Sequence, residues 1–214
     1  MLNWFAAFGA YSAEQNKLRP MYYKQALLLC LFIGISFISI SQTLNSANFK
    51  ISDKRKGINS IDLVVNGDIL IGISGDGEIN YVDTERDVEY FDGFDKDKAG
   101  KIKAVGNVQI DYYDNFDIND PKGKVKSIGN IKITYNNSFD IHEKYGTLKS
   151  VGSINILYYN AFDIHDPEGQ VKSVGNVKVI YYNKFDDKEL FGRVKSIKGN
   201  SKSVYVTKYR GRQY

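Results

Sequence analysis

From Gly100 onward the chain repeats itself every 23 residues, and this period constrains the fold more than any other feature. Four complete units span residues 100–191, and each opens on a glycine. The third unit reads GTLKSVGSINILYYNAFDIHDPE. Fixed-period similarity is typical of repeat proteins, in which each unit buries its apolar face only against its neighbours. The period therefore favours an extended scaffold or binding surface over an enzyme with a deep pocket.

Each unit contains two short segments rich in Val, Ile and Tyr, the residues that suit a half-buried strand. In the unit from Gly169 these segments are Val171–Val174 and Val177–Tyr182, and Gly175-Asn176 separates them. A Gly-Asn pair between two apolar runs indicates a tight hairpin turn. No segment after residue 50 has apolar residues at helical spacing. We therefore predict an all-β protein of tandem hairpins that form an extended antiparallel sheet after an N-terminal signal helix.

The register of this hairpin pairs Val174 with Val177 and places Val179 and Tyr181 on the same apolar face. Lys172 is the misfit, because this register puts it among the apolar residues. The alternative is one long strand over residues 171–182, which would make each unit one coil of a parallel β-solenoid. The hairpin is favoured, because Gly-Asn in mid-strand would weaken the ladder.

The segments outside the four units complete the predicted array. Residues 42–53 are expected to be a linker, and residues 54–99 an N-terminal cap of the same sheet with a hairpin around Asn66-Gly67 and a degenerate unit from Gly77. Residues 192–214 are a divergent last repeat with a strand over Ser203–Thr207 and a basic tail. Degenerate end units suit an array whose ends have no neighbour.

The N-terminal 41 residues belong to a different class of sequence. The apolar run Ala26–Ile40 follows Lys17, Arg19 and Lys24 and ends in small residues up to Ser41. This order predicts a signal peptide, and the alternative is a retained anchor helix. Met21 is an alternative start, because the segment that follows it has the same order of charge and apolarity. We expect export to the periplasm, the cell surface or the medium, with membrane contact only through an uncleaved signal.

The composition of the chain argues against several classes of function. Cys30 is the one cysteine and lies inside the apolar run, so the mature chain has neither disulfides nor thiolate metal sites. The position of Cys30 within the run also argues against a lipoprotein. The full chain has 29 basic and 25 acidic residues, a net charge of +4. Such a balanced chain has no electrostatic footprint for nucleic acid.

The segment Phe162–Val174 followed by Tyr181-Tyr182 resembles the YD repeats of RHS-type secreted proteins. In those repeats an aromatic-Asp turn leads through a glycine and a basic residue to a strand and a Tyr-rich return strand. The unit length is also similar to that of MORN repeats, although the MORN glycine and tryptophan pattern is absent. The chain also resembles uncharacterised secreted repeat proteins of Bacteroidota. The resemblance covers residues 77–210 and implies a hairpin array outside the cytoplasm.

Two repeated positions are candidate binding residues. The tyrosines would form one ladder across the sheet and the lysines another, and together they could stack on sugars or polymer chains. Cross-strand packing with a solvated basic edge is the structural alternative. The candidates are Tyr112, Tyr135, Tyr158, Tyr181, Lys126, Lys149 and Lys172.

Metal chemistry has only weak support. Alternating Asp and Asn oxygens before Gly123 could bind calcium, but the same residues commonly cap turns with their side chains. The weak calcium candidates are Asp114, Asp117, Asn119 and Asp120. His142 and His165 occupy equivalent positions two strands apart, about 9.6 Å, too far for one ion to bridge. We therefore expect no metal and no cofactor.

The sequence shows no nucleophile–base–acid set, phosphate-binding loop or zinc motif, so we expect a protein that is not an enzyme. The leading hypothesis is a secreted β-repeat scaffold or binding module at the cell envelope, with an envelope polymer, a glycan or another protein as its partner. The alternatives are an outer-membrane β-barrel and, less favoured, a carbohydrate-active enzyme. The lysine in every unit does not suit a lipid-facing strand.

Signal cleavage is expected at or next to Ser41-Gln42, because small residues follow the apolar run there. N-terminal sequencing of the exported protein should then begin at or near Gln42. Exported protein that begins at Met1 or Met21 would contradict this prediction.

Overall fold

The computed structural model describes residues 42–53, 55–94 and 96–209, and the signal segment and the basic tail lie outside this part. The described chain is all-β, as predicted, and forms one five-stranded and one ten-stranded sheet, each an open row of strands. Besides the strands it contains a three-residue 3-10 helix, Lys188–Leu190. The strands are β1 (Leu44–Ile51), β2 (Ile58–Val65), β3 (Ile69–Ser74), β4 (Ile79–Asp83), β5 (Val88–Tyr90), β6 (Ile102–Val105), β7 (Val108–Tyr112), β8 (Val125–Ile128), β9 (Ile131–Tyr135), β10 (Leu148–Val151), β11 (Ile154–Tyr158), β12 (Val171–Val174), β13 (Val177–Tyr181), β14 (Val194–Lys198) and β15 (Val204–Lys208).

The repeats form antiparallel hairpins, so the hairpin prediction is confirmed over the β-solenoid. In the fourth unit Val174 pairs with Val177, as the sequence register predicts. Gly175 closes the turn with a φ of +54°, whereas Asn176 is not among the residues with positive φ. A positive φ at the first central residue alone defines a type II′ turn, whose twist matches that of paired strands. Consecutive hairpins then pair side by side in the strand order β5 to β14.

A β-bulge in every unit explains the lysine that did not fit the alternation. Strand β12 pairs Ser173 with Leu157 and Val171 with Tyr158, so Lys172 is the extra residue between two ladder pairs. The bulge returns Val171 to the core and leaves the lysine exposed. The same one-residue skip occurs on the other first strands of the array, at Lys103, Lys126, Lys149 and Lys195.

The N-terminal region differs from its prediction in two ways. Residues 42–53 are not a linker, because β1 occupies the segment and pairs with β2 on one side and β15 on the other. The cap is not part of the repeat sheet either: β2, β3 and β4 belong to the five-stranded sheet, and only β5 joins the repeats. Gly77 therefore lies in the turn between β3 and β4. The hairpin around Asn66-Gly67 is present as β2 and β3.

The predicted last strand exists as β15 but pairs with β1 in parallel, with Val206 opposite Phe49. This pairing brings the C-terminal end of the described chain back to its first strand. The divergent fifth unit keeps its first strand, β14, and then leaves the repeat sheet. The two ends of the described chain thus pair with each other through β1 and β15.

The core is a single apolar cluster to which both sheets contribute. Phe49 and Ile71 of the five-stranded sheet and Val105 and Val174 of the repeat sheet are fully buried in it. Alternating strand residues reach this cluster because one face of each sheet is covered and the other is solvated. Within the described ranges, no helix has the length and apolar character needed to cross a membrane.

Replacing Gly175 with valine should lower the free energy of unfolding by about 1–3 kcal/mol, because a β-branched residue is strained at positive φ. A Cβ at Gly175 would come no closer than 3.6 Å to its nearest neighbour, so backbone strain is isolated from steric overlap. Gly93→Val is the matched control, since Gly93 has open space around it and no positive φ. Denaturant melts that show equal stability for the two variants would contradict the type II′ turn.

Candidate binding surface

The segment between two hairpins is held by a reciprocal side-chain box. In the second unit the Asn137 side-chain oxygen accepts a hydrogen bond from the Phe139 N–H at 3.1 Å, and Asp140 accepts one from the Asn137 N–H at 3.0 Å. Such a box satisfies two backbone donors at once, as a helix capping box does. The box recurs at Asp114 with Asp117, at Asn160 with Asp163 and at Asn183 with Asp186.

On four strands, β8, β10, β12 and β14, the bulged lysine locks this box to the sheet. The Lys172 ammonium lies 2.7 Å from an Asp163 oxygen, and this ion pair holds the pKa of Asp163 below its ordinary 3.8. Equivalent pairs join Lys126 to Asp117, Lys149 to Asp140 and Lys195 to Asp186. The candidate ligand-binding lysines Lys126, Lys149 and Lys172 are therefore engaged within the protein.

The candidate tyrosines lie in the core rather than on the surface. Their exposed fractions are 5% or less, so their rings offer no open face on which a sugar could stack. Burial raises the pKa of Tyr112 to about 12, and its hydroxyl donates to the Ile102 carbonyl at 2.9 Å. The buried tyrosines are Tyr112, Tyr135, Tyr158 and Tyr181.

The side-chain oxygens of the acidic turn before Gly123 accept hydrogen bonds from the protein itself. Asp114 accepts from the Phe116 N–H, and Asp117 accepts from Lys126 and from the Asp114 N–H. Asn119 accepts from the Ser138 hydroxyl, and Asp120 accepts from the Asn137 amide. Among the described residues, no three His, Cys, Asp or Glu side chains are grouped for a metal ion. These contacts place all four residues in the hydrogen bonding of the turns.

The two histidines contact the next unit along the array. The His142 ring packs edge-on to Phe162 with centroids 5.2 Å apart, and His165 lies 4.5 Å from Phe185. Each histidine thus links the loop tip of one unit to the aromatic side chain of the next. Both histidines therefore lie at the edges of turns and contact a neighbouring turn.

A row of exposed apolar side chains runs along these loop tips, and sequence reasoning missed it. Phe116 is 92% exposed and Ile118 is 85% exposed, although both are large hydrophobic residues. The pattern Phe-Asp-Ile recurs in three units, and the signal was an apolar pair in a turn that has no strand to bury it. We call these residues the aromatic row: Phe94, Phe116, Ile118, Phe139, Ile141, Phe162, Ile164 and Phe185.

Neighbouring tips are also hydrogen-bonded to each other, which fixes the row laterally. The Ser138 N–H donates to the Asn119 carbonyl at 3.3 Å, and the Lys184 N–H donates to the His165 carbonyl at 3.0 Å. Side-chain bonds add to this, from Asn160 to Glu143 at 3.4 Å. Equivalent residues in adjacent units lie two strands apart, about 9.6 Å. The row is therefore a regularly spaced set of apolar contacts on a rigid support.

Comparison of the chain with protein-family models, with curated proteins and with solved structures gives no match. The likeness to YD and MORN repeats therefore stays a resemblance of sequence pattern.

The acid sensitivity of stability should come in part from the Asp–Lys locks. A carboxylate whose folded pKa lies below 3.8 stabilises the fold above that pH, and this contribution disappears as the pH falls through the folded pKa. The combined Asp140→Asn, Asp163→Asn and Asp186→Asn variant should be less stable than the native protein at neutral pH. The two should converge in strong acid, as measured by denaturant melts over a pH series.

Asp166→Asn is the matched control, because Asp166 lies in the same kind of loop but forms no ion pair with any described residue. The stability of the Asp166→Asn variant should match that of the native protein at every pH. A triple variant whose deficit stays constant down to the most acidic pH would show that the locks do not respond to protonation.

Proposed function

We propose that the protein is an exported, non-enzymatic β-repeat scaffold whose aromatic row binds a polymer of the cell envelope. The observation that carries this proposal is the exposure of large apolar side chains at one equivalent position in successive units. Contiguous exposed apolar side chains on a folded protein commonly mark an interaction site. Export is supported by the N-terminal apolar run and by the cysteine-free mature chain.

The regular spacing of the row favours a partner that is itself repetitive. Three successive units offer the same Phe-Asp-Ile contact and the fourth keeps the phenylalanine, so a polymer can engage several units at once. Weak contacts that are linked in this way add up to a much higher apparent affinity. The row suits sugar faces and apolar segments, because a ring face can stack without a hydrogen-bond pattern.

The support of the row lowers the cost of binding. The tips that carry Phe116, Phe139, Phe162 and Phe185 are fixed by the side-chain box, by the lysine lock and by bonds to the adjacent tip. A surface that is ordered before it meets its ligand loses less conformational freedom on binding. A row of repeated contacts on a rigid support is therefore better suited to adhesion than to a chemical reaction.

Replacing Phe116, Phe139 and Phe162 together with serine should weaken binding to purified peptidoglycan or to an insoluble glycan. We expect a loss of about five- to tenfold for each ring, since each contact contributes on the order of 1 kcal/mol. Stability should change little, because the three side chains are exposed. A co-sedimentation assay with a thermal melt of each variant measures both quantities.

Leu157→Ser is the matched control, because Leu157 is 58% exposed and lies on a strand outside the aromatic row. The control should bind as the native protein does. If the triple variant retains full binding, or if Leu157→Ser loses as much, the aromatic row is not the binding surface.

A further inference from the structure

A cavity of about 670 Å³ opens where loops of the five-stranded sheet meet the return segments of the repeats. One wall consists of residues 55–58 with Gly75 and Asp76, and the other of Lys124, residues 143–148 and Glu168. We call this cavity the inter-sheet cleft. It lies apart from the aromatic row, none of whose members lines it. Its volume is in the range of sites that hold a small molecule.

Two glycine returns border the inter-sheet cleft. A Cβ at Gly169 would come within 3.0 Å of the Lys56 side chain, and a Cβ at Gly146 would lie 3.6 Å from Lys124. Both glycines have positive φ because each closes the return before a repeat strand. The repeat turn chemistry thus leaves space for a ligand beside these two lysines.

Four cations surround this space: Arg55, Lys56, Lys124 and Lys144. Arg55 is paired with Asp76 at 2.6 Å, whereas Lys56, Lys124 and Lys144 form no ion pair with any described residue. Cations gathered in a cleft concentrate the field on an incoming anion. Three of the four cations of the inter-sheet cleft are therefore free of ion pairs with the described residues.

Lys124 is the most confined of these cations. Its ammonium lies 5.1 Å over the Tyr135 ring and donates to the Asp76 carbonyl. Burial and then the charge of Arg55 favour its neutral form, so its pKa is lowered from the ordinary 10.5 despite Asp76 and Glu78. A bound anion would stabilise the charged ammonium against both effects.

The remainder of the lining suits a ligand with a hydroxylated ring. Ile58, Leu148 and Tyr158 form a buried apolar floor. Glu143 and Glu168 line the rim, and neither forms an ion pair with a lysine or arginine in the described part of the chain. Carboxylates accept hydrogen bonds from hydroxyl groups, whereas the lysines donate to an anionic group.

We infer that the inter-sheet cleft binds a sugar-sized ligand that carries an anionic group, either a phosphate or a carboxylate. The anion lies among Lys56, Lys124 and Lys144, the ring rests on the apolar floor, and the hydroxyls face the two glutamates. This site is separate from the aromatic row, so the two proposals can succeed or fail independently.

The test is calorimetric titration of the purified full-length protein with glucose 6-phosphate, with glucuronate and with neutral glucose. We expect saturable binding of at least one of the two anionic sugars and at least tenfold weaker binding of glucose. The anionic sugar that binds more tightly identifies a phosphate or a carboxylate as the natural group. Combined Lys124→Gln and Lys144→Gln replacement should weaken that binding at least tenfold, because charge-assisted hydrogen bonds are lost.

The control replaces Lys132 and Lys178, two exposed lysines on the repeat strands outside the cleft, with glutamine. It changes the net charge equally and should leave the affinity within twofold of native. Lys144→Gln alone tests the site if the change at Lys124 disturbs folding. The inference is overturned if neither anionic sugar binds at millimolar concentration, if glucose binds equally well, or if the control loses as much affinity as the cleft variant.

Discussion

The β-bulge at the repeat lysine is the constraint on which the rest of the array depends. Without an extra residue at Lys172, the alternation of β12 would point either Val171 or Val174 away from the core. The bulge lets both valines reach the core. It also leaves the lysine on the outside, where it reaches the loop aspartate nine residues earlier. One irregularity in the ladder thus joins the core of each unit to its loop tip.

The second requirement is a cover for the apolar face of the repeat sheet. Repeat arrays need end caps, but here a whole second sheet contributes to the core that buries the repeat tyrosines. The parallel pairing of β1 with β15 joins residues more than 150 positions apart in the chain. Closing so long a loop costs entropy, and it gives the open row of repeats a fixed cover. The cover also creates the inter-sheet cleft, because its loops approach the glycine returns.

Local features of the fold could be read from the sequence, and non-local ones could not. Gly175-Asn176 and the Val174–Val177 pair follow from turn chemistry and alternation, which act over a few residues. The bulge depends on the partner strand, so the sequence showed only a misfit at Lys172. The pairing of β1 with β15 has no local signal, and residues 42–53 were therefore expected to be a linker.

The binding candidates show the same limit. The sequence register already placed Tyr181 on the face of Val174 and Val177, and the structure buries it there. Its aromatic ring suggested a ligand-binding residue, whereas its place in the strand register indicated a core residue. The structure agrees with the register. The exposed aromatic residues are instead the phenylalanines of the Asp-rich turns, which no strand buries.

The aromatic residues of the array form a buried set and an exposed set, and the two sets differ in what they do for the fold. Tyr135 and Tyr158 fill the space between the sheets, so their replacement would leave a cavity. Phe139 and Phe162 contribute almost nothing to the core, because they stand in solvent on loops that other residues already hold. A residue that stability does not require, yet that recurs as a large apolar side chain at the same loop position, is best explained by a contact outside the chain. The fifth unit leaves the repeat sheet after β14 and adds no member to the row, which stops at Phe185.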